Sequence, residues 1–264
     1  MQMGDDHGHS RVQFRDLGGN LIMSKDEKAV RKAIIEKCRW MNASGLNQGT
    51  SGNISMRYKD VMLITPSATP YDDMEPDMIA TMPLQGEYGD WTGPLKPSTE
   101  WSFHLDILRA RGEVNAIVHT HSTYATTLAM CRKPIPASHY MVAIFGGNDV
   151  RCGGYARYGT KELADIAVAA LQDRTACLLA NHGLLTVGTS LEKAMWYAVE
   201  LETLARMHYL TLAIGGPVLL SDEQIGATRS AMKSYGLQDK PAAAAPAKTG
   251  DTALVASKKS ASNG

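Results

Sequence analysis

Val114-Asn115-Ala116-Ile117-Val118-His119-Thr120-His121 has the alternation of a β-strand, with apolar Val114, Ala116 and Val118 at every second residue running into two histidines two apart. Side chains two apart on a strand share one face and lie about 6–7 Å from each other, so two imidazoles can converge on one ion. On a helix the same spacing would turn them to nearly opposite sides, so the metal reading requires strand geometry as far as His121. Downstream, Ala176-Cys177-Leu178-Leu179-Ala180 reads as a short buried strand that runs into Asn181-His182-Gly183. By itself His182 reads as a hydrogen-bonded core histidine. Taken with the other two it completes a set of three, which suits zinc and leaves a fourth position open, as in a catalytic site.

At 264 residues the chain is long enough for one large domain. Lysine plus arginine and aspartate plus glutamate balance at 27 each with no long basic block, so the composition offers no nucleic-acid surface and points to a small partner. Cys38, Cys131, Cys152 and Cys177 are scattered without disulfide-like spacing, which fits a reducing compartment. With no apolar run of membrane-spanning length, the expectation is a cytoplasmic protein that does not enter a membrane.

Residues 1–23 read as a flexible lead, and the His7-Gly8-His9 within it is left out of the site because nothing there fixes ring positions. Ser24-Lys25-Asp26-Glu27 is a capping box in which Glu27 reaches back, opening a helix with Val30, Ile34 and Trp40 at helical spacing that ends near Gly45. The polar turn Gly45–Asn53 leads to strands at 54–57 and 61–65. It has the free amides and small side chains of an anion loop, although on composition alone an ordinary hairpin turn is the plainer reading. Thr65–Tyr71 adds hydroxyls in a proline-punctuated loop. Lys96-Pro97-Ser98-Thr99-Glu100 precedes a helix whose positive end could take a phosphate, or where Ser98 is simply the cap.

A helix is expected from Thr123 to Cys131, and Ser138–Met141 as a loop in which Tyr140 is either an acid–base group or a packing residue. Further helices are expected from Thr160 to Leu171 and from Ser190 toward Ile214, the latter with a stripe of Leu191, Ala194, Met195, Ala198, Leu201 and Ala205 facing the core. A second capping box at Ser221–Gln224 opens a last helix that Gly236 closes, and the low-complexity run 239–264 reads as a disordered tail.

Several blocks then resemble the zinc-dependent class II aldolases: Gly45–Thr50 with Gly52-Asn53, Leu63-Ile64-Thr65-Pro66, Pro97-Ser98-Thr99-Glu100-Trp101, Val118–His121, His139-Tyr140-Met141, Gly146-Gly147-Asn148 and His182-Gly183-Leu184. The resemblance runs from the first helix to Leu237 and implies one catalytic domain over 24–238. It implies a single-domain, three-layer α/β fold, with a central mostly antiparallel sheet flanked by helices. It also implies one zinc per subunit on His119, His121 and His182, with Glu100 a fourth ligand until substrate displaces it. Gly52, Asn53, Ser67, Ala68, Ser98 and Thr99 match the family's phosphate cradle. Tyr140 matches a tyrosine supplied by a neighbouring subunit of a homotetramer, whose active site lies at the subunit interface, and Tyr235 one that closes over the aldehyde.

The implied reaction is retro-aldol cleavage of a ketose 1-phosphate, L-fuculose 1-phosphate foremost, to dihydroxyacetone phosphate and L-lactaldehyde. Zinc acts as the Lewis acid, Glu100 as the acid or base at C3, and Tyr140 handles the proton on the C4 oxygen. A 5-deoxyribulose or methylthioribulose 1-phosphate is the neighbouring substrate class. A sugar-phosphate 4-epimerase is a rival, marked in that branch by aspartate where this chain has Glu100. A non-enzymatic adducin-like binding domain is another, in which loss of the histidines is expected. The chain departs from the family pattern at Ser67 for threonine, Ala68 for glycine, Thr99 for serine and Tyr158 for phenylalanine. The first three keep a hydroxyl or add only a methyl; Tyr158 changes polarity near the substrate tail and makes it a specificity candidate.

Overall fold

A computed structural model of the chain describes residues 23–232. The expected N-terminal lead with His7 and His9, the tail, Gly236 and Tyr235 lie outside the described residues. The order of elements is α1 (Lys25–Ala43), β1 (Asn53–Tyr58), β2 (Val61–Ile64), β3 (Ala80–Pro83), α2 (Trp101–Ala110), β4 (Ala116–Thr120), α3 (Thr123–Met130), β5 (Arg151–Gly153), α4 (Lys161–Ala170), β6 (Ala176–Leu179), β7 (Gly183–Gly188), α5 (Leu191–Leu212) and α6 (Asp222–Ala231). The strands form a seven-stranded sheet in the order β3-β2-β1-β4-β7-β6-β5. Every neighbouring pair is antiparallel except β5 with β6.

Alternation along the strands divides the interior into two cores. Ala116 and Val118 of β4 and Leu63 of β2 pack with α1, α3 and α5, whereas Ile117, Met62 and Ile64 pack with α2 and α4. Helix, sheet and helix therefore form the expected three layers, and the stripe from Leu191 to Ala205 on α5 is buried throughout. β4 lies in the middle of the sheet and all five of its residues are buried, which its run of small and branched side chains permits.

Several local expectations change. Val114 precedes β4 and packs in the opposite core from Ala116 and Val118, so the alternation starts two residues later than its letters suggest. The strand ends at Thr120, one residue before His121. Ser24 caps α1 by accepting from the Glu27 amide, but the Glu27 carboxylate accepts from Arg31 instead of reaching back. Trp40 is exposed on the outer side of α1, since only one stripe of a helix faces the core. Tyr140 opens a 3-10 helix, Tyr140–Phe145, instead of lying in a loop. The capping box at Ser221 forms in full, with both the Ser221 and Gln224 side chains engaged.

Candidate active site

β1, β4 and β7 lie side by side in the sheet, and the site is built where they end. In the antiparallel register Asn53 of β1 faces His119 of β4. His119 is fully buried, and its Nδ1 lies 2.8 Å from the carbonyl oxygen of Leu184 on β7. A carbonyl can only accept, so the ring proton sits on Nδ1 and the Nε2 lone pair points inward. His121 extends just beyond β4, and His182 sits in the turn between β6 and β7. The ring centroids of His119, His121 and His182 are 4.8–5.0 Å apart. One nitrogen from each lies within 4.8 Å of the others, close enough to surround one ion.

Two details show that these rings suit a metal. Nε2 of His119 and of His121 are buried without a hydrogen-bond partner, an arrangement that costs free energy unless something fills it. Burial also pushes the His119 ring down to about 3 and lowers that of His121, so both are neutral and able to donate a lone pair. Gly183 permits the approach: a Cβ there would stand 2.6 Å from the Thr120 carbonyl oxygen and 2.9 Å from His121 Cδ2. The turn itself is held by Asn181, in the left-handed region at φ 54°, which accepts from Arg132 Nε.

Glu100 occupies the N-cap position of α2, and its carboxylate enters the ring of histidines. Oε2 is 3.3 Å from His119 Nε2 and Oε1 is 2.9 Å from His182 Nε2. Burial alone pushes this carboxyl up; the adjoining His119 and His182 rings and the hydrogen bond from Asn53 hold it well below the usual carboxylate range. An ionised oxygen facing imidazole lone pairs is repulsive unless a proton or a cation lies between them, and a divalent cation would satisfy all of these atoms at once.

Behind Glu100 stands a buried relay. Asn53 Nδ2 donates to Glu100 Oε2 at 2.8 Å, Asn53 Oδ1 is 2.5 Å from His104 Nε2, and His104 Nδ1 is 2.8 Å from Ser55 Oγ. One assignment satisfies the chain: His104 donates from Nε2 to Asn53 and accepts at Nδ1 from the Ser55 hydroxyl. The amide of Asn53 can then face only one way. Burial pushes the His104 ring down to about 3, so it is neutral, as that assignment requires. Sequence reasoning missed His104 and Ser55. The signal was present in spacing, since His104 lies four residues after Glu100 at the start of a helix and Ser55 two after Asn53 on a strand.

Gly52, Asn53, Ser67, Ala68, Ser98 and Thr99 all line one cavity of about 370 Å³ that also reaches Glu100, His121 and His182. Gly52 has no room for a side chain, because a Cβ would meet Asn47 Oδ1 at 2.7 Å and the His119 carbonyl oxygen at 2.9 Å. Its own carbonyl accepts from the Tyr71 hydroxyl at 2.6 Å. The Ser98 amide donates to the Thr65 carbonyl and the Ser67 amide to that of Lys96, which joins the two hydroxyl-bearing loops. Ser98 is not the N-cap; it lies two residues before that position, and its Oγ accepts from the Glu100 amide. The Asn53 side chain is directed at Glu100 and His104, which leaves one Nδ2 hydrogen for any ligand. Ala68 adopts φ 51°, the left-handed conformation for which glycine is suited.

Tyr158 lines the same cavity and is 60% exposed. Thr50, Ser51, Tyr155 and Asn181 also line it; the first two fall in the glycine-rich turn, whereas nothing local singled out Tyr155. Tyr140 does not reach the cavity, being 45% exposed on its 3-10 helix with its ring against His139.

Residues 32–209 match the family described as class II aldolase and adducin N-terminal domain. The 5-methylthioribulose-1-phosphate/5-deoxyribulose-1-phosphate aldolase of Rhodospirillum rubrum is 46% identical over 208 residues, 79% of this chain and 93% of that protein. The L-fuculose phosphate aldolase of Escherichia coli is 43% identical over 214 residues, 81% of this chain and 98% of that one. A solved structure of an L-fuculose 1-phosphate aldolase superposes with a TM-score of 0.75 at 39% identity, covering 80% of this chain and 98% of that one.

Proposed function

The chain belongs to the class II aldolase family, and from that membership we propose that it cleaves a ketose 1-phosphate to dihydroxyacetone phosphate and an aldehyde, with zinc as its metal. The observation that carries the reading is the Glu100 carboxylate, 3.3 Å and 2.9 Å from two imidazole nitrogens and opening onto a cavity lined by hydroxyls. His119, His121 and His182 would hold one zinc per subunit, with Glu100 as a further ligand in the absence of substrate. The bound metal supplies Lewis-acid stabilisation of the negative charge that develops when the C3–C4 bond breaks.

The remaining work belongs to side chains. Glu100 delivers the proton to C3 in cleavage and removes it in synthesis, and the Asn53–His104–Ser55 relay holds it in one orientation. Gly52, Asn53, Ser67, Ala68, Ser98 and Thr99 bind the phosphate, away from the reacting carbons, and so position C3 and C4. Tyr140 handles the proton on the C4 oxygen. Its exposure and its separation from the cavity of its own chain support supply across the interface of a homotetramer. The apolar surface at the end of α5 and beyond, with Met207, Leu210, Ile214 and Val218 exposed, supports such assembly. A role at the aldehyde is proposed for Tyr235, which lies outside the described residues. No helix among the described residues is long and apolar enough to cross a membrane, and the proposed setting is the cytoplasm.

L-Fuculose 1-phosphate, giving L-lactaldehyde, is the first substrate to test. Tyr155 and Tyr158 at the cavity, together with the Rhodospirillum rubrum relative, support a second reading in which the sugar is a 5-deoxy- or methylthioribulose 1-phosphate. Glu100 weighs against a 4-epimerase, and the intact histidine ring weighs against a non-enzymatic adducin-like role. The zinc-loaded protein incubated with L-fuculose 1-phosphate and with 5-deoxyribulose 1-phosphate should release dihydroxyacetone phosphate, and the larger kcat/KM identifies the sugar. Release from neither sinks this reading for both substrates.

A further inference from the structure

A phosphomonoester carries close to two negative charges at neutral pH, yet among the described residues no lysine or arginine lines the cavity that holds the cradle residues, and the one carboxylate there is Glu100. Hydroxyls and amides can satisfy phosphate oxygens geometrically without matching their charge. The missing charge lies next door. A second cavity, of about 390 Å³, shares Ser67, Thr99 and Tyr158 with the first and is lined by Lys96 and Arg157 as well.

Both cations are tied by backbone to the hydroxyls they flank. The Lys96 carbonyl accepts from the Ser67 amide at 3.0 Å, so Lys96 moves with Ser67. Gly159, two residues after Arg157, packs so tightly on Thr99 that a Cβ there would stand 2.8 Å from the Thr99 carbonyl oxygen. Thr160 donates to the Arg157 carbonyl from both its amide and its hydroxyl, which fixes the turn that carries the guanidinium.

Neither charge is used elsewhere. Every other arginine among the described residues holds a carbonyl, a carboxylate, an amide oxygen or an aromatic ring. Among the described residues Arg157 has no such partner, nor does the Lys96 ammonium, and the hydroxyls of Ser67 and Thr99 are likewise unengaged.

We propose that Lys96 and Arg157 form a cationic vestibule to the cradle, which captures phosphate dianions and supplies the charge that its hydroxyls and amides lack. The inference rests on the cradle reading given above and adds to it the residues that set affinity for phosphorylated over uncharged sugars. Charges at the mouth of a cleft raise both encounter rate and occupancy and are screened by salt, so the vestibule predicts strongly salt-dependent phosphate binding.

The test is calorimetric titration of the zinc-loaded full-length protein with inorganic phosphate at low and high ionic strength. The parent is compared with the Lys96→Gln/Arg157→Gln double variant and with Ser98→Ala. Both cations are exposed and unpaired, so the double variant should keep the parent's melting temperature. The expected result is a Kd raised roughly tenfold in the double variant at low salt, with most of the salt dependence gone. A Kd within twofold of the parent overturns the vestibule, whatever Ser98→Ala does. If the double variant loses phosphate while Ser98→Ala retains it, the vestibule stands and the cradle reading falls.

Discussion

The histidine ring and the outer wall of the cavity are built differently. His119, Asn53 and Gly183 lie on three adjacent strands at the middle of the sheet, and each is held by ladder register, by burial or by a hydrogen bond to a neighbouring strand. Ser67, Ala68, Tyr155 and Tyr158 lie on connections, and both tyrosines are more than half exposed. The buried half leaves little room for substitution, because a displaced atom meets backbone. The outer half can change shape or polarity without disturbing the sheet. Chemistry common to a family fits the first region and choice of substrate the second.

The largest effect expected from breaking this contrast is at Glu100. Glu100→Gln should retain zinc and phosphate yet lose about 10²–10⁴-fold in the rate of proton exchange at C3 of dihydroxyacetone phosphate, followed by loss of label. Exchange near the parent rate would remove Glu100 as the base.

Next comes Gly183→Ala, which places a methyl against the Thr120 carbonyl and the His121 ring. It should cost about 1–3 kcal/mol in denaturant unfolding and lower the zinc content, read by atomic absorption. A variant as stable and as metal-rich as the parent would mean that the ring tolerates movement after all.

Acid should separate the two regions in the metal-free protein. His104 and His119 have folded-state values of about 3, below the ordinary 6.5, so between these limits the unfolded chain binds more protons than the folded one. Their contribution is intact above about pH 6.5 and falls as pH drops toward 3, by roughly 1.4 kcal/mol per unit for each histidine. Urea unfolding at pH 7 and pH 5 measures the slope. Replacing Tyr158, on the exposed wall, should leave that slope unchanged.

The smallest effect is at Ala68. At φ 51° a glycine escapes the strain of a Cβ but gives up more chain entropy on folding, so Ala68→Gly should raise stability by less than about 1 kcal/mol. A loss of stability would show that the methyl packs against something its exposure does not reveal.

Much of this was legible in the letters. Two histidines two apart after an apolar run, and a third beside a glycine at the end of another, follow from the two-residue period of strands. The capping residues Ser24, Thr160, Ser190 and Ser221 marked helix starts because each side chain satisfies an amide a few residues away. Errors arose where a local signal has more than one geometry. Trp40 had helical spacing but the wrong side of the helix, Tyr140 sat in a stretch with loop composition that coils into a 3-10 turn, and Val114 shared the parity of β4 without belonging to it.

The sequence by itself determined the two core-forming periodicities, the residue types of the site and the family, because each depends on neighbours a few positions apart or on letters alone. Only the tertiary structure decided that β1, β4 and β7 lie side by side. That adjacency turns Asn53 onto Glu100 and His104 and leaves two imidazole nitrogens facing inward without partners, while the packing of the connections sets Lys96 and Arg157 beside the same hydroxyls. Asn53 lies 47 positions from Glu100 and 51 from His104, and such partners are chosen by how the two cores close on the sheet, which no local pattern encodes.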